Sequence, residues 1–473
     1  MKTNKYRLLV SNTAIFAIGN LLVKLISFFL MPLYTTVLTT EQYGVAELLN
    51  STVEIVLPIA TLSIVEALYR FSIDSEADHE TLFVNSTVIV LLGDISIILI
   101  SAILFWVFDY QYAFEFGLLF VTTTLYRLTT QFARGLGHAK RFALYGVINA
   151  LLLVGANCVL LLKMNGGIKA YLLSFSIGYG ISGLIAFIIS KEYLFLHLKK
   201  YDTKTQKAML KYSLPGIPNM LSWWVNSVSD RYIIMLFWGS GVAGLYTAAS
   251  KLPAMINIIS SIFQQAWQYS TAKEINKNDN KSFFSNVFDA YSFVCVTFCS
   301  ILIVFNKIIC HFLLKSEFYS AWKFVPLLLV AACFGCYSSY FGTFYNALKN
   351  NKMLMISTIL GAIVNIILNF VLIPFIGGIG AAIATLTSYL IIVVIRIIDV
   401  RRIVPLSIDY VKWGIQVFIL ISEGLFAALI NSIISYFICA ICSLIIILLD
   451  YSLIRKMISL VYKKFKSFVR KSV

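Results

Sequence analysis

The sequence predicts an all-α polytopic membrane protein, and three observations carry that expectation. Of its 473 residues, 59% are hydrophobic and only 13% are charged, whereas a soluble domain is about one-quarter charged. The apolar residues gather in long runs of about 20, the length that crosses a bilayer as a helix. The basic residues fall almost entirely on alternate breaks between those runs, the pattern that sets membrane orientation. A soluble domain, a disordered chain and a small disulfide scaffold are all excluded by this composition.

Taken in order, the apolar runs and their polar breaks predict fourteen transmembrane helices, near 10–38, 44–70, 82–108, 113–136, 142–163, 168–190, 213–238, 243–270, 284–306, 320–347, 352–374, 378–399, 409–430 and 432–453. The first follows Lys2, Lys5 and Arg7 and so resembles a signal peptide. It carries Lys24, however, and continues past Pro32 without a small-x-small cleavage pattern, which predicts a retained helix. Barrel strands are excluded, because the runs are too long and do not alternate.

An even number of spans puts both termini on one face. Assigned that way, 29 of the 38 basic residues lie on the side of Met1, and only Lys163, Lys169, Lys307, Lys315 and Lys323 face the other side. Positive charge is retained in the cytoplasm, so both termini are expected there. The net charge of +16 then reflects an anionic membrane face rather than nucleic acid, for which no basic soluble domain exists. The eight cysteines lie mostly inside apolar runs, including Cys333-Phe-Gly-Cys336 and Cys439-Ala-Ile-Cys442. There they read as small hydrophobes rather than metal ligands.

The chain repeats itself weakly. Gly137-His138-Ala139-Lys140-Arg141 precedes a helix with Asn149 and Asn157, then Gly166-Gly167-Ile168. Asn350-Asn351-Lys352 precedes a helix with Asn365 and Asn369, then Gly377-Gly378-Ile379-Gly380. Each copy spans six helices, so the expected architecture is two six-helix lobes related by a pseudo-two-fold axis along the membrane normal. The lobes are placed at 1–200 and 201–405, two extra helices at 406–453, and a basic cytoplasmic tail at 454–473.

Several segments resemble the polysaccharide transporter branch, the oligosaccharide flippases, of the multidrug/oligosaccharidyl-lipid/polysaccharide exporter superfamily. They are Asn12-Thr13-Ala14-Ile15-Phe16, Pro32-Leu33-Tyr34-Thr35, Glu41-Gln42-Tyr43-Gly44, Ser229-Asp230-Arg231-Tyr232, Gln264-Gln265-Ala266-Trp267, and Asn346 through Ala382. The resemblance implies two lobes around a central cavity and two extra helices. It also implies flipping of an undecaprenyl-pyrophosphate-linked oligosaccharide across a bacterial plasma membrane for capsule or exopolysaccharide synthesis. Glycosyltransferases and a polysaccharide polymerase are the partners it implies, beside membrane lipids.

Ionisable side chains deep in a bilayer cost at least about 2.5–3.5 kcal/mol and therefore face partners or a wet cavity. Four cations lie that deep: Lys24, Arg127, Arg231 and Lys251. Lys24 shares a helical face with Asn20 and Ser27. Arg127, Gln131 and Arg134 share another, with Arg134 nearer the cytoplasm, where it also suits an interfacial anchor. Arginine forks fit diphosphate oxygens, so Lys24, Arg127, Arg134, Arg231 and Lys251 are the expected substrate contacts. Trp223, Trp224, Tyr337 and Tyr340 are candidates to stack on sugar rings. Opposing them in depth are Glu54, Asp94, Asp230 and Glu423. These acids either neutralise the cations or couple transport to H⁺ or Na⁺; Glu54 leads, with Glu47 and Asn50 on its face, followed by Asp94 and Asp230. No cofactor or metal is expected.

The expected mechanism is alternating access, with the head group in a polar path and the polyprenyl tail left in lipid. Related readings are a flippase for another lipid-linked cargo, such as the peptidoglycan precursor, and a multidrug cation antiporter. An enzyme is disfavoured: the outer loops run only about 4–14 residues and carry no catalytic cluster.

Overall fold

The computed structural model describes residues 26, 28–74, 76–275, 281–348, 352–404, 406–451 and 455. All regular structure among them is helical. They group into two compact units, Met1–Thr247 with Leu313–Phe318, and Ala248–Phe312 with Tyr319–Val473.

In the first unit, α1 (Met31–Val37) leads into α2 (Thr40–Ala60), which opens on a capping box. Thr39 Oγ1 accepts from the Gln42 amide at 3.2 Å and Gln42 Oε1 accepts from the Thr39 amide at 3.1 Å, satisfying two orphan groups reciprocally. The span expected at 44–70 is broken: α2 and α3 (Ile64–Ser72) meet at 67°. Pro58 removes one helical donor, and Leu62 and Ser63 both sit at φ 51°, a left-handed conformation that stops a helix of L-residues.

The helices α4 (His79–Trp106), α5 (Ala113–Gly135), α6 (Ala139–Asn157, extended by a π-helical turn Cys158–Lys163) and α7 (Gly167–Ile189) follow. Helix α5 packs on α4 and α7, and α6 packs on α7. Along α4 the usual amphipathic order is inverted. Asn85, Ser86, Asp94 and Ser101 are buried while Leu91, Leu92, Ile95 and Leu99 are exposed. That pattern suits hydrocarbon outside and polar pairing inside.

Past a short 3₁₀ turn (Glu192–Phe195) and α8 (Thr203–Ser213), α9 (Ile217–Ala249) is a hairpin rather than a rod. Gly239, at φ 82° and ψ 172°, interrupts it, and the Tyr246 hydroxyl returns to Asp230 at 2.7 Å. The sequence reading ends one helix at 238 and begins the next at 243, which this glycine explains. The unit boundary lies beyond the basic linker because the α9 hairpin is hydrogen-bonded to α2: the Tyr232 hydroxyl reaches the Leu48 carbonyl at 3.0 Å.

Gly44 and Gly244 form the closest approach between these helices; a Cβ on either would collide with the opposing backbone carbonyl, Ser240 or Thr40. Gly244→Ala is therefore expected to part α2 from α9 and lower stability by about 1–3 kcal/mol, read as an earlier thermal transition of the detergent-solubilised protein.

Glu192, in the linker, is fully buried and neither carboxylate oxygen has a hydrogen-bond partner. Burial pushes its carboxyl up to about 9, from an ordinary 4.5. The folded chain then keeps a proton that the unfolded chain loses, so stability falls as pH rises from about 4.5 to 9. Glu192→Gln should remove that slope and raise the melting temperature by at least about 2 °C near pH 8, with little change near pH 5.

The second unit holds α10 (Ala254–Glu274), α11 (Lys281–Val304), α12 (Asn306–Leu313, except its last residue), α13 (Val325–Ala347), α14 (Lys352–Ile403), α15 (Tyr410–Leu429) and α16 (Ile433–Leu449). Helix α13 is buried along nearly its whole length and packs on α10, α11, α14 and α15. Helix α14 folds back on itself at Gly377, at φ 54° and ψ −134°. Ser388 Oγ bonds the Gly361 carbonyl at 2.8 Å across the hairpin, so this element contains both spans expected at 352–374 and 378–399.

Arg396, grouped with the cytoplasmic basic residues in the sequence reading, is instead buried inside this unit. Its guanidinium spends five donors on neutral acceptors: Ser357 Oγ, the Ser338 carbonyl and hydroxyl, the Leu354 carbonyl and Thr358 Oγ, at 2.6–3.3 Å. A long side chain near the end of the second arm reaches inward here because α13 and the first arm of α14 supply those acceptors.

Candidate functional site

The deep charges of the first unit are organised by one face of α2. Glu47, Ser51 and Glu54 recur at i, i+4 and i+7, which stacks them on a single side of the helix. Glu47 is buried and Glu54 is half-exposed, its side chain 47% accessible.

Arg127 of α5 reaches Glu54 with Nη2, 2.7 Å from Oε1 and 2.5 Å from Oε2. Both residues lie near the middle of their helices, and Arg127 keeps 32% of its side chain accessible. An accessible ion pair at that depth requires water, since hydrocarbon would not solvate it. Sequence reading places both residues deep; the structure adds that they are each other's counter-ions.

Arg231 of α9 faces Glu47, Nη1 to Oε2 at 3.8 Å. Glu47 Oε1 also accepts from the Tyr171 hydroxyl at 2.7 Å and the Tyr43 hydroxyl at 3.2 Å. Tyr34 completes the cluster, its ring 5.0 Å from that of Tyr171 and its hydroxyl 3.1 Å from Asn157 Nδ2. This network was not visible in the sequence beyond the recurrence of Glu47 with Glu54. Trp224 and Tyr232 fasten α9 beside it. Trp224 Nε1 donates to the Ser51 carbonyl at 3.1 Å, and the Thr52 and Tyr232 hydroxyls are 2.7 Å apart.

The remaining candidates scatter. Asp230 turns to Tyr246 within its own hairpin. Asp94 is buried between α4 and α5 and accepts from Thr124 Oγ1 at 2.8 Å. Arg134 sits with its guanidinium 4.3 Å from the Tyr69 ring centre and 5.4 Å from that of Phe142, and Nη1 is 3.4 Å from Gln131 Oε1. Lys251 lies in the second unit, in the turn between α9 and α10. Lys24 lies outside the described residues. Trp223 is exposed. Tyr337 and Tyr340, by contrast, are packed inside the second unit against Ser292 and the Phe284 carbonyl, so sugar stacking by these two is corrected to core packing. Among the described residues no group of three His, Cys, Asp or Glu is arranged to hold a metal ion.

Residues 9–268 match the family described as polysaccharide biosynthesis protein. The chain belongs to that family. Its sequence is 24% identical over 342 residues to the probable low-salt glycan biosynthesis flippase of Haloferax volcanii, covering 70% of this chain and 71% of the relative. Its fold is similar to that of the lipid II flippase MurJ in an inward closed conformation, with a TM-score of 0.71 at 15% identity, covering 94% of this chain and 99% of the other. It is also similar to an inward-facing multidrug resistance MATE transporter, with a TM-score of 0.62 at 12% identity over 82% and 98%. This family member is thus an all-helical, multi-pass membrane protein whose fold is shared with both of these transporters.

Proposed function

We propose that the protein carries an undecaprenyl-pyrophosphate-linked oligosaccharide from the cytoplasmic to the outer leaflet of a bacterial plasma membrane by alternating access. The observation that carries this reading is the Glu54–Arg127 pair, half-open to water at mid-helix, beside the buried Glu47–Arg231 pair. A cargo diphosphate entering this region meets arginines already held by carboxylates. It exchanges with them, taking the planar donors it fits bidentately, so the cations need no lone residence in a low-dielectric interior. Lys24, Arg134 and Lys251 are carried in the same proposal as further substrate contacts, and the polyprenyl chain stays in lipid. Outward movement of an anionic head group under an inside-negative potential is downhill by about 2.3 kcal/mol per charge per 100 mV, which supplies part of the drive.

Fourteen spans with cytoplasmic termini, lobes at 1–200 and 201–405, two added helices at 406–453 and a tail at 454–473 go with this proposal. So do a non-enzymatic role, coupling to H⁺ or Na⁺, and neighbouring glycosyltransferases and a polymerase. Depletion of the protein should accumulate lipid-linked oligosaccharide in the cytoplasmic leaflet, inaccessible to a membrane-impermeant periodate label. Accumulation in the outer leaflet instead would mean that another protein does the flipping.

A further inference from the structure

The carboxylate of Glu423 plays no part in the network of the first unit. It lies on α15, is fully buried, and faces two serines from two other helices. Ser300 Oγ of α11 is 2.6 Å from Oε2, Ser443 Oγ of α16 is 3.4 Å from Oε1, and the two hydroxyls are 2.5 Å apart. Ser300 is fully enclosed and Ser443 nearly so.

Cys299 of α11 and Cys439 and Cys442 of α16 are the titratable groups nearby, with the Cys439 thiol 3.9 Å from the Glu423 carbonyl. The cation beyond Cys439 is Lys307, whose Nζ donates to Asn431 Oδ1 at 2.9 Å rather than to Glu423. From α13, Val330 and the Pro326 carbonyl meet Gly424. Among the described residues no lysine, arginine or histidine pairs with Glu423.

An ionised carboxylate offers about four acceptor positions. Two serine hydroxyls provide two hydrogens, one of which is drawn toward the other serine. An anion so poorly coordinated, enclosed by protein inside a membrane, is not sustained by those bonds. The charge therefore has to be neutralised by something small enough to fit between three packed helices. A divalent ion would leave net positive charge in the same apolar surroundings, and an organic cation has no room.

We propose that Glu423, Ser300 and Ser443 form an enclosed monovalent-cation site, filled by a proton or by Na⁺, that seats α15 and α16 against α11. A proton makes the carboxyl a donor to a serine oxygen; Na⁺ is offered both carboxylate oxygens and both hydroxyl oxygens. Emptying the site leaves a bare anion at the seam of three helices and loosens it. If the transport reading above holds, this makes the last two helices sensitive to the ion gradient. The binding claim itself does not depend on that reading.

Dicyclohexylcarbodiimide, an apolar reagent that adds to protonated carboxyls as an N-acylurea, tests the site on the purified full-length protein, read by peptide mass. Label on Glu423 is expected near pH 6 in Na⁺-free buffer. A proton site loses it at least about five-fold towards alkaline pH regardless of Na⁺; a Na⁺ site loses it on adding Na⁺ at constant pH. The paired measurement is thermal stability: wild type should gain more stability with acid or with Na⁺ than Glu423→Gln, which needs no cation and retains only the acid dependence due to Glu192. Glutamine retains the hydrogen bonds to serine, so this variant is expected to fold. Labelling indifferent to both pH and Na⁺, or identical pH and Na⁺ dependence of stability in wild type and Glu423→Gln, would overturn the proposal whatever the flipping assay shows.

Discussion

Arg127→Ala is expected to reduce flipping at least about 100-fold, because two charge-assisted hydrogen bonds of about 1.5–3 kcal/mol each correspond to two powers of ten or more. The measurement is restoration of outer-leaflet lipid-linked sugar in depleted cells. The Glu54 partner makes the result interpretable. If Arg127 serves only to neutralise Glu54, exchanging the charges (Arg127→Glu with Glu54→Arg) should restore both stability and flipping. The exchange proposed above predicts recovery of stability alone, since the relocated guanidinium no longer meets the cargo from α5. Glu54→Gln should retain substantial flipping, because it frees the arginine rather than removing it. Pairwise coupling of this kind is separable only by the full cycle of single and double variants.

Arg396→Leu should have the largest effect on stability, about 3 kcal/mol, or a fall of ~3 °C in melting temperature for a chain of this length. Its five hydrogen bonds join Ser338 of α13 to Ser357, Leu354 and Thr358 of the first arm of α14. No carboxylate takes part, so the residue acts as a multi-point clamp and its loss strands buried acceptors. Lysine concentrates its donors on one atom and cannot span that set, so Arg396→Lys should recover less than half of the loss. Gly342 lies against the guanidinium, 3.1 Å from Nη1 to a Cβ position, and Gly342→Ala should weaken the same clamp to a smaller degree. Thermal unfolding in detergent, with each variant compared at matched pH, checks all three.

Much of the helical framework was legible because membrane insertion writes it into composition. Hydrocarbon demands about 20 apolar residues per crossing, and the helices at His79–Trp106, Ala113–Gly135, Gly167–Ile189 and Tyr410–Leu429 fall within a few residues of their expected positions. The turns at Gly239 and Gly377 were likewise marked in the sequence, by Gly239-Ser240-Gly241 and by Gly377-Gly378 shortly after Pro374. The bend between α2 and α3 carried no such mark. It rests on Leu62 and Ser63 in left-handed conformation, held in part by Ser213 Oγ on the Leu62 carbonyl at 2.8 Å, a contact 151 residues distant in sequence.

The chain alone established that this is a multi-pass helical membrane protein with ionisable groups buried at depth, because burial length, charge asymmetry and insertion cost each depend on one segment at a time. Helical periodicity assigned Glu47 and Glu54 to one face for the same reason. Folding settled that Arg127 belongs to Glu54, Arg231 to Glu47, and Arg396 to a ring of neutral acceptors rather than to the cytoplasm. Those pairings depend on which faces of different helices meet, and the angular repeat of a single helix carries no information about its neighbour.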